Sequence, residues 1–223
     1  MRKIAIFGAG GMGREVACII RRINEVRNVP QWDFIGFYDD GIPAGTQTDE
    51  GVVLGGIKEL NEYNSPLNVV IAIGNPKVYK KIRDNLVNPK ISYPNIIDPT
   101  VEFWDINNYV IGEGNIICPH CTISCNVTIG NYNILNGDIS LRHDVRIGSY
   151  NAIMPGVRIS GGVVMGNGVF IGLNAAVAQY LKVADNVRIG AGSILLSDTE
   201  ADAFYTGVPA KKHTKEVETS GSY

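Results

Sequence analysis

Starting at Ile111 and stepping by six, the chain carries Ile111, Ile117, Ile123, Ile129, Leu135, Leu141, Ile147, Ile153, Ile159, Met165, Ile171, Val177, Val183, Ile189 and Leu195. Every one is aliphatic or Met. With 45% of residues apolar, an unbroken run of this length arises by chance on the order of once in 10^5 trials. Neither regular element has this period, since a helix repeats near 3.6 residues and a half-buried strand near 2. A six-residue step suits a short strand plus a corner, with one inward aliphatic per side of a triangular coil. Gly112, Gly130, Gly148 and Gly166 each follow an inward residue at intervals of one full coil, where glycine serves either an unusual φ or close backbone approach. The fourth residue after each inward one is mostly small or β-branched, as at Cys121, Val127, Val145, Val157, Val163, Val169, Ala175, Val187 and Ser193. These are expected to pack inside as a second column. Residues 98–196 are therefore predicted to form an all-β left-handed parallel β-helix of hexapeptide repeats. Residues 197–223 are expected to cap it, with Phe204, Tyr205 and 207–211 closing one end and the polar stretch 214–223 fraying.

Residues 1–97 have a different grammar. An apolar run at 3–7 ends at Gly8-Ala9-Gly10-Gly11-Met12-Gly13, and helical spacing follows at 14–23. Strand-like runs at 34–38 and 69–73 alternate with helix-like runs at 57–63 and 78–86, which predicts a Rossmann-like α/β domain with a parallel sheet. Gly8, Gly10 and Gly13 match the spacing of the dinucleotide fingerprint, whose glycines let a diphosphate approach a helix N-terminus. The same glycines would equally serve a helix-packing turn. Asp39 and Asp40 end the second strand, and Gly74-Asn75 end the third, so all fall at the carboxyl ends of strands where open α/β sheets bind ligands. A domain of this size holds half a classical dinucleotide fold, which favours a nucleotide or nucleotide sugar over NAD.

A formal net charge of -2 and the lack of a long Lys/Arg run argue against nucleic acid or an anionic membrane surface as partner. Glycines interrupt the basic N-terminus before a signal-peptide core develops, and no apolar stretch nears the roughly 20 residues of a membrane span, so a cytoplasmic protein without membrane insertion is expected. Cys118, His120, Cys121 and Cys125 have ligand chemistry suited to zinc. The repeat places Cys121 at a small inward position, and no metal is expected.

A small α/β domain followed by a hexapeptide β-helix, with Gly-Ala-Gly-Gly-Met-Gly near the start, 134–136, His143-Asp144-Val145-Arg146-Ile147-Gly148 and Gly207-Val208-Pro209-Ala210-Lys211, resembles the sialic acid O-acetyltransferase NeuD family. Within it, the chain is similar to the nucleotide-aminosugar N-acetyltransferases of the bacillosamine and perosamine type. The resemblance implies a homotrimer in which acetyl-CoA lies in a cleft between adjacent β-helices and a UDP-, dTDP- or GDP-linked amino sugar sits on the N-terminal domain. It implies His143 as general base, Asp144 as its orienting carboxylate, Asn136 nearby, and the Gly161 amide facing the oxyanion. Leu173 and Ala191 would line the CoA cleft with Gly161; Gly10, Gly11, Asp39, Asp40, Gly74 and Asn75 would contact the nucleotide. Some relatives carry a second histidine where this chain has Ala152, and many have His-Pro where it has Asp98-Pro99. An imidazole near neutral pKa suits proton removal from an attacking amine. Neighbouring side chains on a flat strand diverge, so pairing His143 with Asp144 requires a corner at the second and third positions after Leu141. Sugar O-acetylation, and a nucleotide-binding scaffold that only trimerises, remain alternatives at this level.

Overall fold

The computed structural model describes residues 1–213; the expected fraying of 214–223 lies outside the described residues. Two compact units are present, Met1–Pro99 and a second beginning at Thr100.

The first unit is a parallel sheet of β1 (Arg2–Phe7), β2 (Trp32–Tyr38), β3 (Val53–Gly55), β4 (Leu67–Ile71) and β5 (Ile91–Ser92) in the order β3-β2-β1-β4-β5. Its helices are α1 (Gly11–Glu25), α2 (Ile57–Asn61) and α3 (Pro76–Asn85). The pattern of hydrophobic runs located three strands and three helices; the short β3 and β5 carry too few residues to show a period. Central β1 buries Ile4, Ala5, Ile6 and Phe7, and α1 turns Val16, Ala17, Ile19, Ile20 and Ile23 inward, the spacing of one helical face. Gly13 lies so close to the first turn that a Cβ there would stand 1.9 Å from the Gly8 carbonyl oxygen. That contact sets α1 against the end of β1.

The second unit is a parallel β-solenoid with three faces. One face stacks the strands carrying Ile111, Ile129, Ile147, Met165 and Val183; the next those carrying Ile117, Leu135, Ile153, Ile171, Ile189 and Tyr205; the third those carrying Phe103, Ile123, Leu141, Ile159, Val177 and Leu195. Register partners such as Ser140↔Arg158 and Leu141↔Ile159 are one coil apart. The inward series is buried from Ile117 to Leu195, with Ile111 half-buried at the start, and the small or β-branched column is buried with it.

Of the two roles open to the corner glycines, close approach is the one they fill. Gly112, Gly130, Gly148 and Gly166 do not occupy the left-handed region; their lack of a Cβ allows close approach, since a Cβ on Gly148 would lie 2.6 Å from the Gly166 carbonyl oxygen. The left-handed residue comes two positions later. From Gly114 to Gly192 every sixth residue has φ between +55 and +76, fourteen corners in succession, filled by Gly, Asn, Asp, Tyr or His. Asn and Asp tolerate this conformation better than most side chains.

At the top, Phe204–Thr206 pairs parallel with Arg188–Ile189 and then antiparallel with Lys211–Lys212, reversing the strand direction.

Candidate active site

The three corner columns of the solenoid differ in how they treat their backbone. After the Ile129 face, each exposed N–H is taken by a side chain one coil further on: Glu113 by Asn131 (2.9 Å), Asn131 by Ser149 (3.0 Å), Ser149 by Asn167 (2.8 Å) and Asn167 by Asp185 (2.7 Å). Beneath them runs a buried asparagine ladder, in which Asn133 donates to the Asn115 oxygen at 3.0 Å and accepts from the Asn151 N–H at 2.9 Å. Tyr132 and Tyr150 stack alongside. This column is closed.

The column after the Leu141 face is open, and it carries His143 and Asp144. Asp144 is a left-handed corner residue with φ +62, which turns two sequence neighbours toward each other instead of apart. His143 Nδ1 and Asp144 Oδ2 are 2.9 Å apart, and Asp144 Oδ1 accepts from Asn126 Nδ2 at 2.7 Å. Asn126 sits at the same corner one coil below. The hydrogen bond from His143, then that from Asn126, hold the Asp144 carboxyl below its ordinary range. A carboxylate accepting at Nδ1 fixes the tautomer with the proton on Nδ1, which leaves a lone pair on Nε2. Both side chains are more than half exposed.

The imidazole lies against Gly161 of the coil above: a Cβ there would stand 2.4 Å from His143 Nε2 and Cε1. Gly161 is buried by that ring. Among the described residues its N–H has no hydrogen-bond partner, although its carbonyl accepts from the Tyr180 N–H at 2.9 Å. A lone pair on Nε2 beside a free backbone donor is the arrangement that moves a proton and stabilises developing negative charge in one place.

Other expected residues fall elsewhere. Asn136 follows the Leu135 face, and its carboxamide oxygen accepts from the Gly137 N–H at 2.8 Å. Leu173, half exposed, and exposed Ala191 stack at the corner after the same face. Within one chain none of the three shares the His143 column. His120 lies about one coil before His143 but at the corner after the Ile117 face, a different corner column. Ala152 is 2% exposed, between Ile134 and Phe170 in the sheet. Cys121 is buried, and its Sγ donates to the Asn136 carbonyl at 3.1 Å; among the described residues no group of three or more His, Cys, Asp or Glu is placed to hold a metal.

In the first unit, Gly10 is the N-cap of α1 with no side-chain cap, and a Cβ on Gly10, Gly11 or Gly74 would meet nothing within 4 Å. Open space therefore fronts the ends of β1 and β4, where the strand order reverses direction from β1. Asp39 and Asp40 are more committed than their sequence suggests. Asp39 accepts from the Ala9 and Gly41 N–H groups, each at 2.8 Å, and Asp40 caps α2 through the Ile57 N–H at 2.8 Å. Asn75 caps α3 through the Lys77 and Val78 N–H groups. Asn126 was missed in the sequence, though its position one coil before Asp144 was a usable signal.

Residues 3–86 match the PglD N-terminal domain family. Over 192 residues, 86% of this chain and 85% of the relative, the sequence is 27% identical to a GDP-perosamine N-acetyltransferase of Escherichia coli O157:H7. The chain is an acetyltransferase homologue. The acetyltransferase domain of PglB from Neisseria gonorrhoeae FA1090 matches this homologue with a TM-score of 0.85 at 25% identity, covering 96% of this chain and 100% of that one. That domain has also been solved with acetyl coenzyme A. PerB from Caulobacter crescentus, solved with CoA and GDP-perosamine, shares the acetyltransferase homologue's fold with a TM-score of 0.78 at 24% identity, over 96% of this chain and 98% of PerB. No described helix is long and apolar enough to cross a membrane.

Proposed function

We propose that this chain transfers an acetyl group from acetyl-CoA to the amine of a nucleotide-linked 4-amino-4,6-dideoxy sugar. The observation that carries this is the juxtaposition of the His143 Nε2 lone pair, fixed by Asp144 at 2.9 Å, with the free N–H of Gly161. The acceptor amine attacks the thioester carbonyl carbon, forming a C–N bond and placing negative charge on the carbonyl oxygen, which the Gly161 N–H receives. His143 Nε2 takes the proton that nitrogen must lose. The C–S bond then breaks as the carbonyl reforms, and the CoA thiolate leaves, to be protonated by the imidazolium or by water. Direct attack needs no acyl-enzyme, and Cys125, the exposed thiol of this column, lies a full coil from His143.

Acetyl-CoA as co-substrate follows from the relatives together with this geometry. The uncapped N-terminus of α1 at Gly10 and Gly11, with open space at Gly74, suits the diphosphate of a UDP-, dTDP- or GDP-linked sugar. Asp39, Asp40 and Asn75 shape that crevice through the backbone groups they hold, and Asp39 keeps lone pairs for a ribose or base. Leu173 and Ala191 lie on a different corner from His143, so a cleft that uses both columns requires two copies of the chain. That requirement supports a homotrimer, in which three equivalent clefts close around one axis, with Asn136 reaching the site from the neighbouring corner.

The test is His143→Ala, assayed with acetyl-CoA against UDP-, dTDP- and GDP-linked amino sugars and their hydroxyl counterparts. Loss of turnover on amino sugars with acetyl-CoA binding intact is expected. Undiminished turnover removes His143 as base, and faster turnover of the hydroxyl acceptors turns the assignment to O-acetylation.

A further inference from the structure

Gly161 and Gly162 form the only corner of the fourteen with glycine at both the second and third positions after the inward residue. Two rings account for this. The His143 imidazole presses on Gly161 from the coil below, and the Tyr180 ring presses on Gly162 from the coil above, where a Cβ would stand 2.4 Å from Tyr180 Cδ1. Tyr180 is itself a left-handed corner residue at φ +62, is 68% exposed, and its N–H donates to the Gly161 carbonyl. Tyr132 lies on Gly114 in the same way in the closed column, but there the ring is buried and stacked on Tyr150; at Tyr180 the large ring is left exposed, where its burial gains little.

The inference rests on the acyl-CoA assignment above. With the thioester oxygen on the Gly161 N–H, the nucleophile comes from the His143 side, below. As the carbon becomes tetrahedral, its sulfur and methyl substituents bend away from the incoming nucleophile, to the upper side on which the Tyr180 ring stands. We infer that Tyr180 is a specificity residue whose ring walls the acyl site against Gly162 and admits an acetyl group while excluding longer acyl chains. A pocket wall of this kind discriminates by roughly 10- to 200-fold per methylene.

The experiment measures binding of CoA, acetyl-CoA and butyryl-CoA by calorimetry to the full chain, its Tyr180→Gly and Tyr180→Asn variants, both at home at positive φ, and Tyr180→Phe. Wild type is expected to prefer acetyl-CoA over butyryl-CoA. The Gly and Asn variants should narrow that preference by at least about tenfold, and the Phe variant should keep it. An unchanged preference in the Gly and Asn variants, or a change of the same size in Phe, overturns the role of Tyr180 and leaves the acyl-CoA assignment standing. A wild-type chain that binds no form of CoA overturns both.

Discussion

Two corners of one solenoid, built on the same six-residue step, have opposite fates. The corner after the Ile129 face answers its own backbone: each N–H from Glu113 to Asn167 meets a side chain one coil on, and three buried asparagines bind one another behind it. The corner after the Leu141 face leaves the Gly161 N–H unanswered and spends its polar side chains, Asn126, Asp144 and His143, on aiming one imidazole. Self-satisfaction gives stability, and the donor withheld from it is free for a ligand. Stability and chemistry are thus separated by one side of a triangle.

The separation can be broken by substitution. The largest effect is expected from His143→Ala, a loss of about 10^2- to 10^4-fold in turnover with a melting temperature near wild type, because the side chain is exposed; a large drop in melting temperature would show that the open corner also carries the fold. Asn133→Ala should do the reverse. It leaves the Asn151 N–H without its partner in the core, at about 1–3 kcal/mol, while the Asn115 oxygen keeps the Asn133 backbone N–H at 2.9 Å, so chemical denaturation should show a loss of about 2 kcal/mol with activity per folded molecule retained. Gly161→Ala places a methyl where the imidazole lies. The exposed ring can swing aside, so stability should hold while kcat falls by about 10^2-fold, the order expected for a catalytic group misplaced by an ångström.

The smallest effect concerns pH. The Asp144 carboxyl is held below its usual range by His143 and Asn126, so its interaction is present above the ordinary carboxylate range and is lost only as pH falls through the lowered folded value. Across the range in which an imidazole titrates, Asp144 stays ionised. The acid limb of kcat/KM should therefore follow a single proton, and a two-proton limb above pH 5 would implicate the carboxylate. Asn126→Ala should move this profile little and lower kcat by about tenfold or less, through looser orientation of the pair.

Much of this was legible in the residues. The aliphatic period located the solenoid and its inward columns, and counting from Leu141 placed His143 and Asp144 at a corner. The same counting, carried one step further, separates Leu173, Ala191 and His120 from the His143 column, since only residues a whole coil apart share one. The asparagine ladder was harder to see, because Asn115, Asn133 and Asn151 occupy a position that is otherwise apolar except at Cys121 and Ser193, and polarity there reads as a fault until the hydrogen bonds are known. Asp39 and Asp40 looked like free ligand contacts because their partners are backbone N–H groups, which no sequence displays. Tyr180 gave no signal at all apart from its facing glycine, one coil away.

A stack of parallel coils has no intrinsic reason to stop, since its last turn offers the next chain the same row of donors and acceptors that it offers itself. Here the closing turn runs Phe204–Thr206 along Arg188–Ile189 and then doubles back as Lys211–Lys212. An incoming coil would meet a strand pointing the wrong way, two residues long and doubly positive, with the Lys212 ammonium held by Glu200. The end of the solenoid is built to refuse fibre growth, and mutating both lysines to β-branched apolar residues should convert a discrete protein into one that assembles end to end.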